Sequence, residues 1–218
     1  MIKSRYRAAR TALSGGITMN KIITISREYG AGGHSIGVQV AKELGIPFYD
    51  RDIVRETAKA SGFDIELIER EGESESFADT ILKNLFTVPG SYYNDTREAI
   101  YEVQKAIILR LAKQGPCVIL GRCADHILAE AGIDAINVFI HANELHRGAR
   151  ITEMTGETNA AELHKMMAKK DSKRRTYYNN HTGKKWGDSH NSTLSLDSGA
   201  LGYKTCVELI KHVYETAE

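Results

Sequence analysis

The stretch that decides the fold is Ile22-Ile23-Thr24-Ile25-Ser26-Arg27-Glu28-Tyr29-Gly30-Ala31-Gly32-Gly33-His34-Ser35-Ile36-Gly37. It opens with a short apolar, β-branched run, which is typical of a buried strand. A glycine cluster follows, and apolar residues then recur at helical spacing. A strand, a glycine loop and a helix in this order gather backbone N–H groups and a helix N-terminus around one point, which suits a phosphate group. The stretch therefore predicts an anion-binding loop for a nucleotide.

The loop by itself leaves three interpretations open. The phosphate-loop motif G-x-x-x-x-G-K-[ST] is incomplete because no lysine stands in the expected place. The dinucleotide fingerprint G-x-G-x-x-G is also partial, since Ser35 stands where the third glycine belongs, but Asp50 lies where a ribose-binding acid would. The third interpretation is a structural turn between a strand and a helix. Residues further along the chain have to decide between them.

Length, charge and cysteine content set broad limits on the class of protein. The chain has 218 residues, which suits one domain, and its 29 basic and 28 acidic side chains give a net charge of +1. This balance shows no bias toward nucleic acid or an anionic membrane. The three cysteines form no C-x-x-C pair, which indicates reduced thiols and predicts a cytoplasmic protein without a cysteine metal site.

The first twenty residues differ in composition from the rest of the chain. They carry four basic side chains, no acid and no apolar periodicity. We therefore expect residues 1–20 to be a disordered extension and residues 21–218 to form a single domain. No apolar run approaches the roughly 20 residues that a transmembrane helix needs.

Beyond the loop, predicted strands alternate with predicted helices. Further strands are expected at 46–50, 117–120, 136–140 and 194–198, and helices at 53–60, 96–113 and 205–214. This alternation is typical of a parallel sheet with helices on both faces, in which ligands bind at the carboxyl ends of the strands. The residues expected at that edge are Ser26, Arg27, Asp50, Arg51, Gly121, Arg122 and His141. Their convergence predicts one site.

A strongly basic segment lies between Lys165 and Lys185. It holds eight lysines or arginines and a single acid, Asp171. Three interpretations remain open here as well: a flap that closes over phosphates, a surface that binds RNA, and a solvated helix face. A loop is expected over 181–190.

Four motifs, in order, resemble the cytidylate kinase-like branch of the nucleoside-monophosphate kinases. Gly30-Ala31-Gly32-Gly33-His34-Ser35-Ile36 lines up on the cytidylate kinase loop G-A-G-K-G-T-L, and Gly121-Arg122-x-x-Asp125 is similar to its G-R-D element. Asp171-x-x-Arg174 is similar to the D-x-N-R of the lid, and Leu196-Asp197-Ser198-x-x-Leu201 matches L-D-[ST]-x-x-L. The resemblance covers the chain from Lys21 to its end.

The resemblance implies a fold, an activity and cofactors. The fold is a three-layer α/β P-loop kinase fold, with a helical acceptor-binding region at about 55–113 and an arginine-rich lid at about 147–190. The activity is transfer of a phosphoryl group from ATP, with Mg²⁺, to a nucleoside monophosphate, CMP or dCMP. We expect a small-molecule nucleotide as partner, no nucleic acid or membrane, and a monomer or homodimer.

The same resemblance assigns residues to roles. The ATP-binding loop comprises Gly30, Ala31, Gly32, Gly33, His34 and Ser35, and the Ser35 hydroxyl is expected to approach Mg²⁺. The predicted catalytic cations are Arg27, His34, Arg122, Arg147, Arg150 and Arg174, with Arg175 as a further lid cation. The predicted acceptor site comprises Tyr49, Asp50, Arg51, Arg122, Asp125, Asp171 and Arg174. Arg51 and Arg122 suit the acceptor phosphate because a guanidinium binds two phosphate oxygens at once.

The chain departs from the cytidylate kinase motif at Gly33, where the loop lysine belongs. That lysine normally supplies a fixed positive charge to the β- and γ-phosphates. His34 and Arg27 are the candidate substitutes on either side. Two alternatives to the nucleotide kinase stay open: a non-catalytic nucleotide-binding protein with a degenerate loop, and a kinase of another small molecule.

Overall fold

The structure, a computed structural model, describes residues 21–50, 53, 55, 56, 59 and 96–216. The extension predicted at residues 1–20, Arg51 and most of the region predicted to bind the acceptor lie outside the described residues. Among the described part of the chain, no helix is long and apolar enough to cross a membrane.

The centre of the fold is a parallel sheet with the strand order β2-β3-β1-β4-β5. The strands are β1 (Ile22–Arg27), β2 (Phe48–Tyr49), β3 (Cys117–Leu120), β4 (Ala135–His141) and β5 (Leu194–Asp197). The central strand β1 pairs with β3 on one side, Ile25 opposite Leu120, and with β4 on the other. The strand that precedes the glycine loop therefore lies in the middle of the sheet.

Helices connect the strands and end at the signals that the sequence contains. The helices are α1 (Gly33–Leu44), α2 (Thr96–Gln114), α3 (Ala124–Glu130), α4 (Glu144–Thr155), α5 (Ala160–Thr182), α6 (Ser198–Leu201) and α7 (Tyr203–Thr216), with a 3₁₀ turn at Ser189–Asn191. Asn143 and Asn159 cap the starts of α4 and α5 by accepting backbone N–H bonds. The loop expected to begin at His181 begins after Thr182, because Gly183 ends α5 in the left-handed conformation.

Two apolar layers pack against the two faces of the sheet. On one face, Ile23, Ile25 and Val118 pack with the inner sides of α1 and α7. On the other face, Ile22 and Ile119 pack with α2, α3 and the Trp186 side chain. Burial on both faces explains why the strands are continuous apolar runs rather than alternating ones.

Candidate functional site

The glycine loop leaves the central strand and turns directly into α1. Gly30 and Gly32 have φ angles of 83° and 78°, in the left-handed region that favours glycine. No side chain caps the start of α1 at Gly32, so its first N–H groups face the loop. A Cβ on Gly30 would lie 2.7 Å from the carbonyl oxygen of Arg147, and one on Gly32 would overlap the Tyr203 ring. The loop is therefore an anion cradle whose shape depends on these two glycines.

The peptide groups of Tyr29 are held from two helices. Asp171 of α5 accepts a hydrogen bond from the Tyr29 N–H at 2.8 Å, and Nε of Arg147 in α4 donates to the Tyr29 carbonyl at 2.7 Å. Arg147 and Asp171 also form an ion pair, and Glu28 lies 3.3 Å from the guanidinium. Both partners of the pair are buried, with 7% and 6% of their surface exposed. Where the resemblance implied catalytic and acceptor roles for Arg147 and Asp171, the structure has them bonded to the loop backbone.

The closing motif also supports the loop. The buried Ser198 hydroxyl donates to the carbonyl oxygen of Ala31 at 2.7 Å, and Asp197 caps α6 through the N–H groups of Gly199 and Ala200. The motif Leu196-Asp197-Ser198 thereby links the end of β5 to the backbone of the glycine loop. Ala31 itself is fully buried.

The Arg27 side chain, at the end of β1, extends past two glycines, Gly33 and Gly121. A Cβ on Gly33 would lie 2.6 Å from Cβ and 2.8 Å from Cγ of Arg27, and a Cβ on Gly121 would lie 2.6 Å from Arg27 Nη1. The stem of Arg27 therefore passes the start of α1, and its guanidinium reaches the end of β3. Any side chain at either position would displace it.

A left-handed turn follows β3. Gly121, Arg122 and Cys123 have φ angles of 72°, 59° and 54°, and a left-handed conformation costs about 1–2 kcal/mol for a residue other than glycine. The turn places Nη1 of Arg122 in a buried position where it has no hydrogen-bond partner among the described residues. A buried, unpartnered guanidinium nitrogen is unfavourable, and an oxyanion satisfies it well. The Arg122 turn therefore suits an anion.

The arginines meet in one cleft beside the loop. The residues that line it include three cations (Arg27, Arg122 and Arg174), one carboxylate (Asp125) and three aromatic side chains (Tyr177, Tyr178 and Trp186). The cleft encloses about 40 Å³, which is enough for water but far below the roughly 300 Å³ of a small-molecule pocket. The cleft in this conformation is therefore too small to enclose a nucleotide.

The second half of helix α5 and the loop after it are bonded to residues near the carboxyl ends of the strands. The Tyr178 hydroxyl donates to Asp125 at 2.6 Å, and Arg174 donates to the Arg27 carbonyl at 3.2 Å. The indole N–H of Trp186, in the loop after α5, donates to the Ser26 hydroxyl at 3.1 Å. Burial, together with the Asp125 carboxylate, raises the pKa of Tyr178, so the phenol stays protonated and keeps its bond.

His34, Asp50 and Tyr49 lie away from this cleft. The His34 side chain is 60% exposed and lies 3.6 Å from the Asp50 carboxylate, with its ring against the edge of Phe48. Tyr49 packs against the apolar layer of α2 and α3. None of these three side chains lines the cleft that the arginines share. Their predicted roles at the loop and the acceptor stay predictions.

Ser35, Arg150 and Arg175 are not among the residues that line the cleft. Nη2 of Arg150 lies 3.3 Å from the Ser35 hydroxyl, and Nη1 pairs with Glu153 at 2.9 Å. Arg175 stacks over the Trp186 ring at 5.8 Å from its centroid. The predicted acceptor residue Arg51 lies outside the described residues. Sequence reasoning missed Tyr203, which has no local signal because it meets Gly32 only in the folded chain.

Comparison with known proteins identifies the family. The family model for the cytidylate kinase-like family matches residues 22–200. The chain belongs to the cytidylate kinase-like family. The glycine loop after the central strand agrees with the α/β P-loop kinase fold of that family. Neither the dinucleotide interpretation nor that of a merely structural turn fits this family.

Curated and solved relatives agree with this kinase fold. A shikimate kinase from Ruegeria pomeroyi (strain ATCC 700808 / DSM 15171 / DSS-3) is 28% identical over 131 residues, which are 60% of this chain and 54% of that protein. The chain thus spans about half the length of that relative. An uncharacterized protein from Eubacterium ventriosum ATCC 27560 superposes with a TM-score of 0.68 at 25% identity, over 90% of this chain and 99% of that one. A shikimate kinase from Bacteroides thetaiotaomicron gives 0.52 at 15% identity, over 89% and 98%.

The site fits the cofactors that a cytidylate kinase-like protein implies. The family implies ATP and, typically, Mg²⁺. The left-handed glycines Gly30 and Gly32 and the open first turn of α1 suit polyphosphate, and the unpartnered Arg122 nitrogen suits a second phosphate. No group of three acidic, histidine or cysteine side chains within the described residues could hold a metal ion by itself. The contact between the Ser35 hydroxyl and Mg²⁺ stays a prediction.

Proposed function

We propose that this protein transfers the γ-phosphoryl group of ATP to the phosphate of a nucleoside monophosphate, with CMP or dCMP as the acceptor. The observation that carries the proposal is the buried, unpartnered Arg122 nitrogen in a cleft that Arg27 and Arg174 also line, beside the glycine loop. Three cations in one cleft suit the charge of two phosphates brought together.

Each residue then has a defined task. The backbone of residues 30–35 binds the β- and γ-phosphates, and Arg122 holds the acceptor phosphate through paired N–H donors. Bound ATP–Mg²⁺ supplies the phosphoryl group and part of the charge compensation. An acceptor phosphate oxygen bonds to the γ-phosphorus while the bond from that phosphorus to the bridging oxygen breaks, so CMP and ATP become CDP and ADP. Arg27 and Arg174 offset negative charge between the two phosphates.

The carboxylate content of the cleft supports a phosphate acceptor. A phosphate monoester is ionised at neutral pH and attacks without losing a proton, whereas a hydroxyl acceptor needs a general base. Among the described residues that line the cleft, the carboxylate is Asp125, and it already accepts the Tyr178 hydroxyl. Asp171 is likewise engaged with Arg147 and Tyr29. This arrangement favours a nucleotide over an alcohol.

A measurement of ADP formation with a panel of acceptors tests the proposal. We expect turnover that requires Mg²⁺ and is fastest with CMP or dCMP, slower with UMP, AMP and GMP. We expect Arg122→Gln to raise the KM for CMP at least tenfold, since it loses a charged, bidentate contact. Lys211→Gln is the control, because Lys211 of α7 pairs with Glu43 of α1 and does not line the cleft. Equal background rates with every monophosphate would refute the proposed function.

A kinase of another small molecule is the second candidate. The observation that favours it is the 28% identity to a shikimate kinase. Shikimate therefore belongs in the same panel, and turnover with it but not with CMP would select this candidate. Binding of ATP without any turnover would instead select the non-catalytic alternative. The cytoplasmic location and the monomeric or homodimeric state remain predictions.

A further inference from the structure

The arginine at the end of β1 occupies the space that a loop lysine would need. A Cβ on Gly33 would lie only 2.6 Å and 2.8 Å from Cβ and Cγ of Arg27, while ordinary contacts begin near 3.4 Å. Gly33 is the first residue of α1 and has no left-handed φ angle, so its backbone would accept any side chain. The obstacle to a lysine at this position is therefore Arg27 and not the loop conformation.

The guanidinium of Arg27 lies where two phosphates would meet. Its stem passes the first turn of α1, which belongs to the glycine loop, and Nη1 lies 2.6 Å from where a Cβ of Gly121 would be. Gly121 opens the turn that carries Arg122. The Arg27 side chain thus spans from the donor loop to the acceptor turn, and Arg174 holds its backbone carbonyl at 3.2 Å.

We propose that Arg27 supplies, from β1, the positive charge on the transferred phosphoryl group that a loop lysine supplies in other P-loop proteins. This inference rests on the proposed function and adds a catalytic residue to it. The lysine of a phosphate loop reaches the β- and γ-phosphates as a point charge. An arginine binds two oxygens at once and keeps its charge at any physiological pH. Gly33 and Gly121 are then the two positions that must lack a side chain so that the Arg27 side chain can reach from the glycine loop to the Arg122 turn.

Variants that remove the positive charge at position 27 and place one at position 33 test the assignment. Arg27→Met keeps the stem and removes the charge, and we expect it to lower kcat about 100-fold with little change in the KM for CMP. Arg27→Lys keeps a charge, and we expect it to retain more activity than Arg27→Met. Gly33→Lys in the native background is expected to lower activity, because the new side chain collides with Arg27. In the Arg27→Ala background, the same Gly33→Lys change is expected to raise kcat at least tenfold.

Controls separate this inference from the proposed function and from misfolding. Lys211→Met removes the charge of a lysine that does not line the cleft, and we expect wild-type kcat from it. Melting temperatures with and without ATP and Mg²⁺ show for each variant whether it folds and binds nucleotide. Wild-type turnover together with an undiminished kcat for Arg27→Met would overturn the inference and leave the proposed function standing. If the wild type turns over no acceptor, the proposed function fails, and an ATP-dependent melting shift unchanged in Arg27→Met overturns the inference too.

Discussion

Asp171 accepts a hydrogen bond from the backbone N–H of Tyr29 at 2.8 Å, although 142 residues separate the two in the sequence. The same carboxylate pairs with Arg147, which donates to the Tyr29 carbonyl. One buried ion pair therefore fixes both peptide groups of the residue that begins the glycine loop. The pair thereby links helices α4 and α5 to the glycine loop.

Removing the carboxylate of Asp171 should destabilise the whole fold. Asp171→Ala leaves the Arg147 guanidinium buried beside Glu28 alone, and breaking a buried pair in this way costs about 3–5 kcal/mol. Urea unfolding measures the loss. Glu153→Ala is the control, because it ends an ion pair on the exposed side of α4, and such a pair is worth less than about 1 kcal/mol. Equal unfolding midpoints for Asp171→Ala and Glu153→Ala would contradict this prediction.

Gly32 should be intolerant of alanine, and the C-terminal glycine of the same helix should not be. Both Gly32 and Gly45 are left-handed, but a Cβ on Gly32 would overlap Tyr203, whereas one on Gly45 would meet no atom within 4 Å. We expect Gly45→Ala to lose about 1 kcal/mol of stability and to bind ATP normally. Gly32→Ala should lose more stability and bind ATP at least tenfold more weakly, as measured by calorimetry. Tight ATP binding by Gly32→Ala would show that the loop does not carry the nucleotide.

The single tryptophan should report acceptor binding. Trp186 is the one tryptophan of the chain, is buried, and donates to Ser26 at the wall of the cleft. Because a nucleotide is larger than the cleft in this conformation, we expect CMP to widen the cleft and to shift the tryptophan emission to longer wavelength as the indole becomes more exposed. Ser26→Ala, which removes the hydrogen-bond acceptor, should show part of that shift before CMP is added. Unchanged emission at CMP concentrations that saturate turnover would contradict a shift of this loop.

Stability should fall at alkaline pH. Burial raises the pKa of the Cys117 thiol to about 11, and burial also raises the pKa of Cys123 and of Tyr101. An ordinary thiol has a pKa near 8.5, so above that pH the unfolded chain has lost a proton that the folded chain still holds. The contribution of these groups to the free energy of unfolding is therefore constant below about pH 8 and decreases as pH rises toward 11.

Urea midpoints at pH 7.5, 9 and 10 check this prediction. We expect the midpoint to decrease over this range, and we expect a smaller decrease in Cys117→Ala, which lacks one of the titrating thiols. The cavity left by Cys117→Ala lowers stability equally at every pH. The informative quantity is therefore the change of the urea midpoint with pH. A flat midpoint between pH 7.5 and pH 10 would contradict the assigned direction of these pKa shifts.

The strands could be predicted from the sequence, and so could the proximity of the residues at their carboxyl ends. The continuous apolar runs of β1 and β3 arise because both faces of a central strand are buried. Once those strands are parallel, the residues at their carboxyl ends must meet, which is why Arg27 and Arg122 were expected in one site and do line one cleft. The family assignment rests on the same short motifs.

The contacts made by α5 and α7 could not be predicted. Nothing near Asp171 in the sequence indicates that its carboxylate binds the Tyr29 amide, since that contact depends on how α5 crosses the sheet edge. The sequence reveals that Gly33 lacks the lysine, but only the packing shows that Arg27 fills its place. Long-range packing of this kind has no local signature.

Contact between the Tyr203 ring and Gly32 has a consequence for biosynthesis. The glycine loop directly follows the first strand, yet it is completed only when α7, far along the chain, folds onto it. A nascent chain arrested before residue 203 lacks this contact. We therefore expect bound nucleotide to stabilise such an arrested chain less than a chain that includes α7.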